Sequence, residues 1–143
     1  MAQAAAVAGF SPQEFLALGF EVRGFTNYTK LNESSQRACF RSLYGTSPSI
    51  LSMIWADLLH SDLADCQLDA HSKPLHLLIF FRWMRSYETE LELKTQFNMG
   101  EETLRKWIRI MAKRVAALRS IVVSVCYCHL HVSAILSLSD FFH

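Results

Sequence analysis

The sequence predicts an all-α protein, a helical bundle containing a trihelical helix-turn-helix, on three observations. Apolar residues recur at three- and four-residue spacing along most of the chain. Breakers are scarce, three prolines and five glycines in 143 residues, and most stand where a helix would end anyway. Hydrophobic residues make up 51% and charged residues 19%, a balance that supplies one domain of this length with a core and argues against disorder.

Residues 1–10 are alanine-rich and read as a disordered lead-in. An N-terminal helical region, 11–73, follows. Ser11-Pro12-Gln13-Glu14 has the pattern of a helix start, a serine cap with proline in the first turn, and Phe15, Leu18 and Phe20 are its inward candidates. Residues 21–28, which hold Gly24 and Asn27, read as a loop. A second helix begins near Asn32 and runs past Phe40 and Leu43 to Tyr44, where Gly45 stops it. Ser47-Pro48 caps a third, with Ile50, Leu51, Ile54, Trp55, Leu58 and Leu59 at helical spacing. The polar, acid-leaning stretch 61–73 is a surface connection.

Pro74 opens an apolar helix from Leu75 to Met84, hydrophobic on all sides and therefore expected to be buried. A short helix, Glu88 to Phe97, leads into the turn Asn98-Met99-Gly100. The helix from Thr103 to Arg119 carries the apolar stripe Leu104, Trp107 or Ile108, Met111, Val115 and Leu118. Together these make a helix-turn-helix unit spanning 74–120. A weaker echo precedes it: Tyr44-Gly45-Thr46-Ser47 leads into Leu51 and Ile54 as Phe97-Asn98-Met99-Gly100 leads into Leu104 and Trp107. The earlier stretch has no Lys or Arg between 42 and 72, so it reads as packing, with a duplicated motif as the alternative.

A helix-turn-helix needs an apolar residue closing its first helix, an apolar plug in the turn and a small residue starting the second helix. Phe97, Met99 and Gly100 meet these needs. Net charge is +1 for the whole chain, yet Arg105, Lys106, Arg109, Lys113, Arg114 and Arg119 lie in one acid-free run on the last helix. Such a concentration is the electrostatic footprint of a polyanion binder. Thr103, Arg105, Lys106 and Arg109 are expected to read the groove of double-stranded DNA. Lys113, Arg114 and Arg119 are expected on phosphates. Glu101 and Glu102 suit the positive end of that helix.

The stretches Phe40-Arg41-Ser42-Leu43-Tyr44-Gly45-Thr46-Ser47-Pro48, Phe81-Arg82-Trp83-Met84-Arg85-Ser86-Tyr87 and Phe97-Asn98-Met99-Gly100-Glu101-Glu102-Thr103-Leu104-Arg105-Lys106-Trp107-Ile108 together resemble the N-terminal region of Harbinger-like DDE transposases. The resemblance spans about residues 36–119. It implies a helical DNA-binding module with Thr103, Arg105, Lys106 and Arg109 on the recognition helix. In such transposases this module precedes a ribonuclease-H-like domain whose acids hold divalent ions. The chain ends at His143, before those acids, so the resemblance implies a truncated, non-catalytic protein.

No catalytic group stands out from the rest. His60, His71 and His76 lack an acid–base partner arrangement, no serine sits in a nucleophile-elbow context, and no glycine-rich phosphate loop occurs. No cofactor or small-molecule substrate is expected. Cys126, Cys128, His129 and His131 crowd into one short run without the second ligand pair that a zinc site uses, so they read as incidental. Residues 121–143 form an apolar tail, expected to pack as a helix or a strand. The uncharged part, 121–139, makes a tail-anchored membrane protein one alternative, and a relic or interaction domain that binds no DNA is the other. With no leader at the start of the chain, the four cysteines read as reduced thiols in an intracellular protein, and DNA binding would place it in the nucleus. Trp55, Trp83 and Trp107 are expected in the core rather than on a stacking surface.

Overall fold

The computed structural model describes residues 9–61, 68–86 and 88–118. These residues form an all-α bundle of six α-helices and one short 3-10 turn, with no strand among them. The helices are α1 (Pro12–Val22), α2 (Glu33–Tyr44), α3 (Pro48–Leu59), α4 (Pro74–Ser86), α5 (Glu90–Phe97) and α6 (Glu101–Ala117), with the 3-10 turn at Tyr28–Lys30. Residues 1–8 of the expected lead-in, and the tail expected to be a helix or strand, lie outside the described residues. Phe10, expected within the disordered lead-in, instead packs against the core with its ring edge-on to Phe15 and its carbonyl accepting from the Ser52 hydroxyl.

Local chemistry sets most of the boundaries. Ser11 and Glu14 form a reciprocal capping box at the start of α1, so two otherwise orphaned backbone donors are satisfied by side chains. Asn32 and Ser47 cap α2 and α3 through their side-chain oxygens. The sequence places the start of α5 two residues early, because a second capping box, Thr89 with Glu92, fixes it at Glu90. It places the start of α6 two residues late: Gly100 is the cap, and Glu101 and Glu102 join the first turn, where their charge complements the helix dipole. In α1 it is Leu16, with Phe15, Gly19 and Phe20, that is buried, while Leu18 is only half-buried. The expected loop at 21–28 is shorter than read, since α1 runs to Val22 and Tyr28 already belongs to the 3-10 turn.

Helices α1 to α3 and α4 to α6 make two successive trios. In each, the first helix packs against the third, α1 on α3 and α4 on α6. The turn between second and third helix repeats in detail. Tyr44 and Phe97 end α2 and α5, and the next residue, Gly45 or Asn98, is left-handed, with φ of 74° and 48°. Two residues later Ser47 or Gly100 takes an extended cap conformation. Phe40, Tyr44, Leu51, Ile54, Trp55 and Leu58 fall at one constant spacing from Leu93, Phe97, Leu104, Trp107, Ile108 and Met111, and all twelve are buried. The echo in the sequence is therefore a repeated geometry, beyond mere packing. The trios differ in how far they close: α5 lies along α6, whereas α2 packs mainly on α4 and α1.

One hydrophobic core serves both trios. Helix α4 is its centre, with His76 through Arg82 buried without a break, as its all-round apolar sequence predicts. Its two arginines close the end of α2: Arg82 donates to the Leu43 carbonyl at 2.7 Å and Arg85 to that of Ser42 at 3.4 Å. Cations at a helix C-terminus satisfy carbonyls and oppose the negative end of the dipole. Arg82 also pairs with Glu88, which Arg23 approaches at 3.8 Å, so α1, α2, α4 and the start of α5 meet at one polar node. The end of α2 and the end of α4 thus touch each other through these two arginines.

Trp55 and Trp107 are buried in the core and Trp83 packs half-buried against it. Gly19 sits where α1 crosses α2; a Cβ there would lie 2.5 Å from the Phe40 ring. Tyr44 donates to the Gly19 carbonyl at 2.6 Å, and burial raises its hydroxyl well above the ordinary tyrosine value.

Candidate nucleic-acid interface

Helix α6 is held on one side by Leu104, Trp107, Ile108, Met111, Ala112, Val115 and Leu118. At 100° per residue, Glu102, Lys106, Arg109 and Lys113 line up on the opposite side, and all four are exposed. Three cations in helical register thus project from a helix whose other face is fixed in the core. Met99, the residue expected to plug the turn, packs half-buried against that core.

The structure sorts the seven candidate DNA-contacting residues differently from the sequence. Thr103, Lys106, Arg109 and Lys113 are exposed. No ion pair among the described residues engages Lys106 or Lys113; the Lys106 ammonium lies 5.5 Å from the centre of the Trp107 ring. Arg105 is exposed too, but its guanidinium grips both oxygens of Glu90 on α5, with Nε at 2.8 and 2.9 Å. This pairing holds the Glu90 carboxyl below the usual carboxylate pKa and raises the pKa of the arginine. Arg105 must therefore exchange a carboxylate for a base before it can read one.

Arg114 corrects the sequence reading outright. It is 7% exposed, donates to the Ser72 hydroxyl at 2.7 Å and approaches the Asp69 carboxylate at 3.5 Å. It pins the segment before α4 to α6 and presents nothing to a phosphate. The signal was available in the spacing. Trp107, Met111, Arg114 and Leu118 are separated by four, three and four residues, which places Arg114 within the apolar stripe. Arg119 lies outside the described residues.

Acidic groups gather at the start of α6, the part of a recognition helix that meets base edges. Glu101 and Glu102 stand there, and Glu90 of α5 joins Glu101 around Arg105; Lys94 reaches Glu101 at 3.8 Å. The positive face therefore begins at Lys106 and runs toward the helix C-terminus. None of these acids was weighed across the two helices in the sequence, because the Glu90–Arg105 contact depends on how α5 folds back along α6.

A further group emerges only in three dimensions. His76 of α4 stacks on Trp107, ring centres 3.6 Å apart and planes within 10°. Its Nδ1 accepts from the Lys73 backbone N–H at 3.1 Å, which leaves the ring proton on Nε2. Burial, then the charge of Lys73, pushes its pKa down to about 4. The imidazole is thus neutral and apolar in effect, a packing group for α6 rather than an acid–base catalyst.

Among the described residues no group of three or more His, Cys, Asp or Glu side chains could hold a metal, and no helix is long and apolar enough to cross a membrane. The Cys126 to His131 run and the 121–139 segment lie outside the described residues. Compared with models of known protein families, with curated proteins and with solved structures, the chain matches none.

Proposed function

We propose that the chain binds double-stranded DNA without catalysing a reaction on it, through the exposed side of α6. The observation that carries this reading is the register of Lys106, Arg109 and Lys113 on the face opposite the buried stripe. The α5–turn–α6 geometry offers that face as a convex rod, the shape that a major groove accepts. Lys106, Arg109 and Lys113 serve as phosphate contacts, and Thr103 sits nearest the base edges. Arg105 contributes a base contact only by leaving Glu90. On the motifs quoted above, the protein derives from the DNA-binding region of a Harbinger-like transposase and works in the nucleus.

The acids around the first turn of α6 favour a second reading, an interaction module that binds no DNA. Salt separates the two. Anisotropy of a labelled random-sequence duplex, titrated from about 50 to 200 mM salt, should give a log–log slope near −3, about one unit per phosphate contact. Lys106→Ala with Lys113→Ala should weaken binding about tenfold or more and reduce the slope by about two. Absence of binding at the lowest salt, or an unchanged affinity in the double variant, would refute DNA as the ligand.

A further inference from the structure

We infer that the first trio is a second DNA-contacting unit, and that it engages the same duplex with a different distribution of charge. The inference rests on the DNA reading of α6 and extends it to a surface that the sequence assigned to packing.

The geometry comes first. Helices α2 and α3 are joined by the same turn as α5 and α6, a left-handed residue, one intervening residue and an extended cap. Because the buried positions also correspond, the outward positions do too. Ser49, Met53 and Ala56 on α3 occupy the places of Glu102, Lys106 and Arg109 on α6. Ser49 is exposed and Met53 is 46% exposed, one of four large apolar side chains that the described residues leave exposed. The N-terminal turn of α3 is uncharged, whereas that of α6 is ringed by acids.

The charge has moved to the neighbouring helix. Arg37 and Arg41 on α2 hold the places that Glu90 and Lys94 hold on α5. Both arginines are exposed, and no ion pair among the described residues engages either one. In the second trio the corresponding Glu90 consumes Arg105. In the first, the position of Arg105 is held by Ser52, whose hydroxyl donates to the Phe10 carbonyl at 2.7 Å, and no ion pair among the described residues engages Arg37. Arg37 also lines a cleft of about 520 Å³ with Gln13, Tyr28, Thr29, Glu33 and Ser49, between α1, α2 and the start of α3. Glu33 is the one carboxylate in that wall.

Those features match the division of labour in a helix-turn-helix, where the first helix of the pair crosses the phosphate backbone and the second meets the bases. Arg37 and Arg41 would bind phosphates. Ser49 can donate to or accept from any base edge, and an exposed methionine can lie on a thymine methyl. A neutral, partly apolar reading end flanked by cations suits a nucleic acid better than an acidic end does. The shared core fixes the two trios relative to each other, so a single duplex long enough to reach both would gain both sets of contacts.

The test uses the full chain and random-sequence duplexes of about 12 and 30 base pairs, lengths that span about one and three helical turns. Arg37→Ala with Arg41→Ala should leave the melting curve unchanged, since both side chains are exposed on a helix. It should weaken the long duplex about tenfold and lower its salt slope by about two, with little effect on the short one. A photo-crosslinker placed at Met53 should label the long duplex. If the α6 double variant weakens binding while the α2 variant changes neither duplex and Met53 gives no crosslink, the second contact is overturned and the α6 reading stands. If the chain binds neither duplex, or the α6 variant binds both normally, the reading of α6 fails and this inference falls with it.

Discussion

The two trios share a turn, a burial pattern and a core, yet they differ in where charge is spent and in how tightly they close. In the second, α5 lies along α6 and Glu90 locks Arg105; in the first, α2 leans on α4, and its arginines Arg37 and Arg41 stay exposed. The difference teaches that a helix-turn-helix turn specifies a backbone path but leaves the outward faces open to different chemistry. Counting basic residues along one helix therefore locates only part of the molecule's exposed positive charge.

The largest expected effects test the correspondence in the core. Phe40 and Leu93 are corresponding residues at 0% exposure. Phe40→Ala should cost about 3–5 kcal/mol and Leu93→Ala about 2–5 kcal/mol in urea unfolding. Because one core joins both trios, each variant should give a single shared transition. Two separate transitions, one per trio, would break the picture of a common core.

Acid should act on the second trio through His76. Its folded pKa, about 4, lies below its ordinary value of 6.5, so the unfolded chain binds the proton more readily. The stabilisation from this group is complete above pH 6.5 and is lost as pH falls toward 4, by at most about 3 kcal/mol. Ile54, the counterpart of Trp107 in the first trio, has no such dependence of its own. Urea titrations at pH 7 and pH 4 should show that His76→Phe flattens the loss over that interval; an equal loss with and without the imidazole would remove it as the cause.

Two cations adjacent in the sequence should separate next. Arg114→Ala leaves the Ser72 hydroxyl without its donor and should cost about 1–3 kcal/mol, while Lys113→Ala should stay within about 0.5 kcal/mol. DNA affinity should respond in the opposite order. A stable Arg114 variant with weakened DNA binding would restore the original reading of that residue as a phosphate contact.

The smallest effects compare the turns. Gly45→Ala forces a Cβ into a left-handed residue and to 3.3 Å from Arg85, and should cost about 1–2 kcal/mol. Asn98→Gly should be neutral or slightly stabilising, since asparagine tolerates the same conformation less well than glycine. A destabilised Asn98→Gly variant would show that its side chain holds the turn by means other than φ.

Periodicity and punctuation carried most of the fold. Ser11-Pro12, Ser47-Pro48, Gly45 and Asn98-Met99-Gly100 each do local work that follows from residue chemistry, and the structure places helix ends at all of them. The all-round apolar run of α4 likewise announces burial. What escaped the sequence depends on tertiary placement. Arg105 reads as exposed and cationic until α5 brings Glu90 beside it. His76 resembles an idle histidine until Trp107 covers it. Arg114 is the instructive intermediate: its phase on the helix wheel placed it inward, but its charge suggested outward. The partners that settle the matter, Ser72 and Asp69, sit far back in the chain. The faintness of the first echo has a similar cause, because the resemblance lies in backbone conformation and buried positions while the surface residues differ.

Helix α4 has a consequence for dissection of the molecule. His76 through Arg82 are buried without interruption, so cutting the chain at the 61–73 connection strips one side of α4 and bares a continuous apolar surface. Neither fragment should then be soluble by itself, although the boundary looks inviting in the sequence. The two fragments produced together should instead recombine around α4, as complementing parts of one fold. Whatever history produced the repeated turn, its two copies have become mutually dependent, and neither can be lost or exchanged without the other.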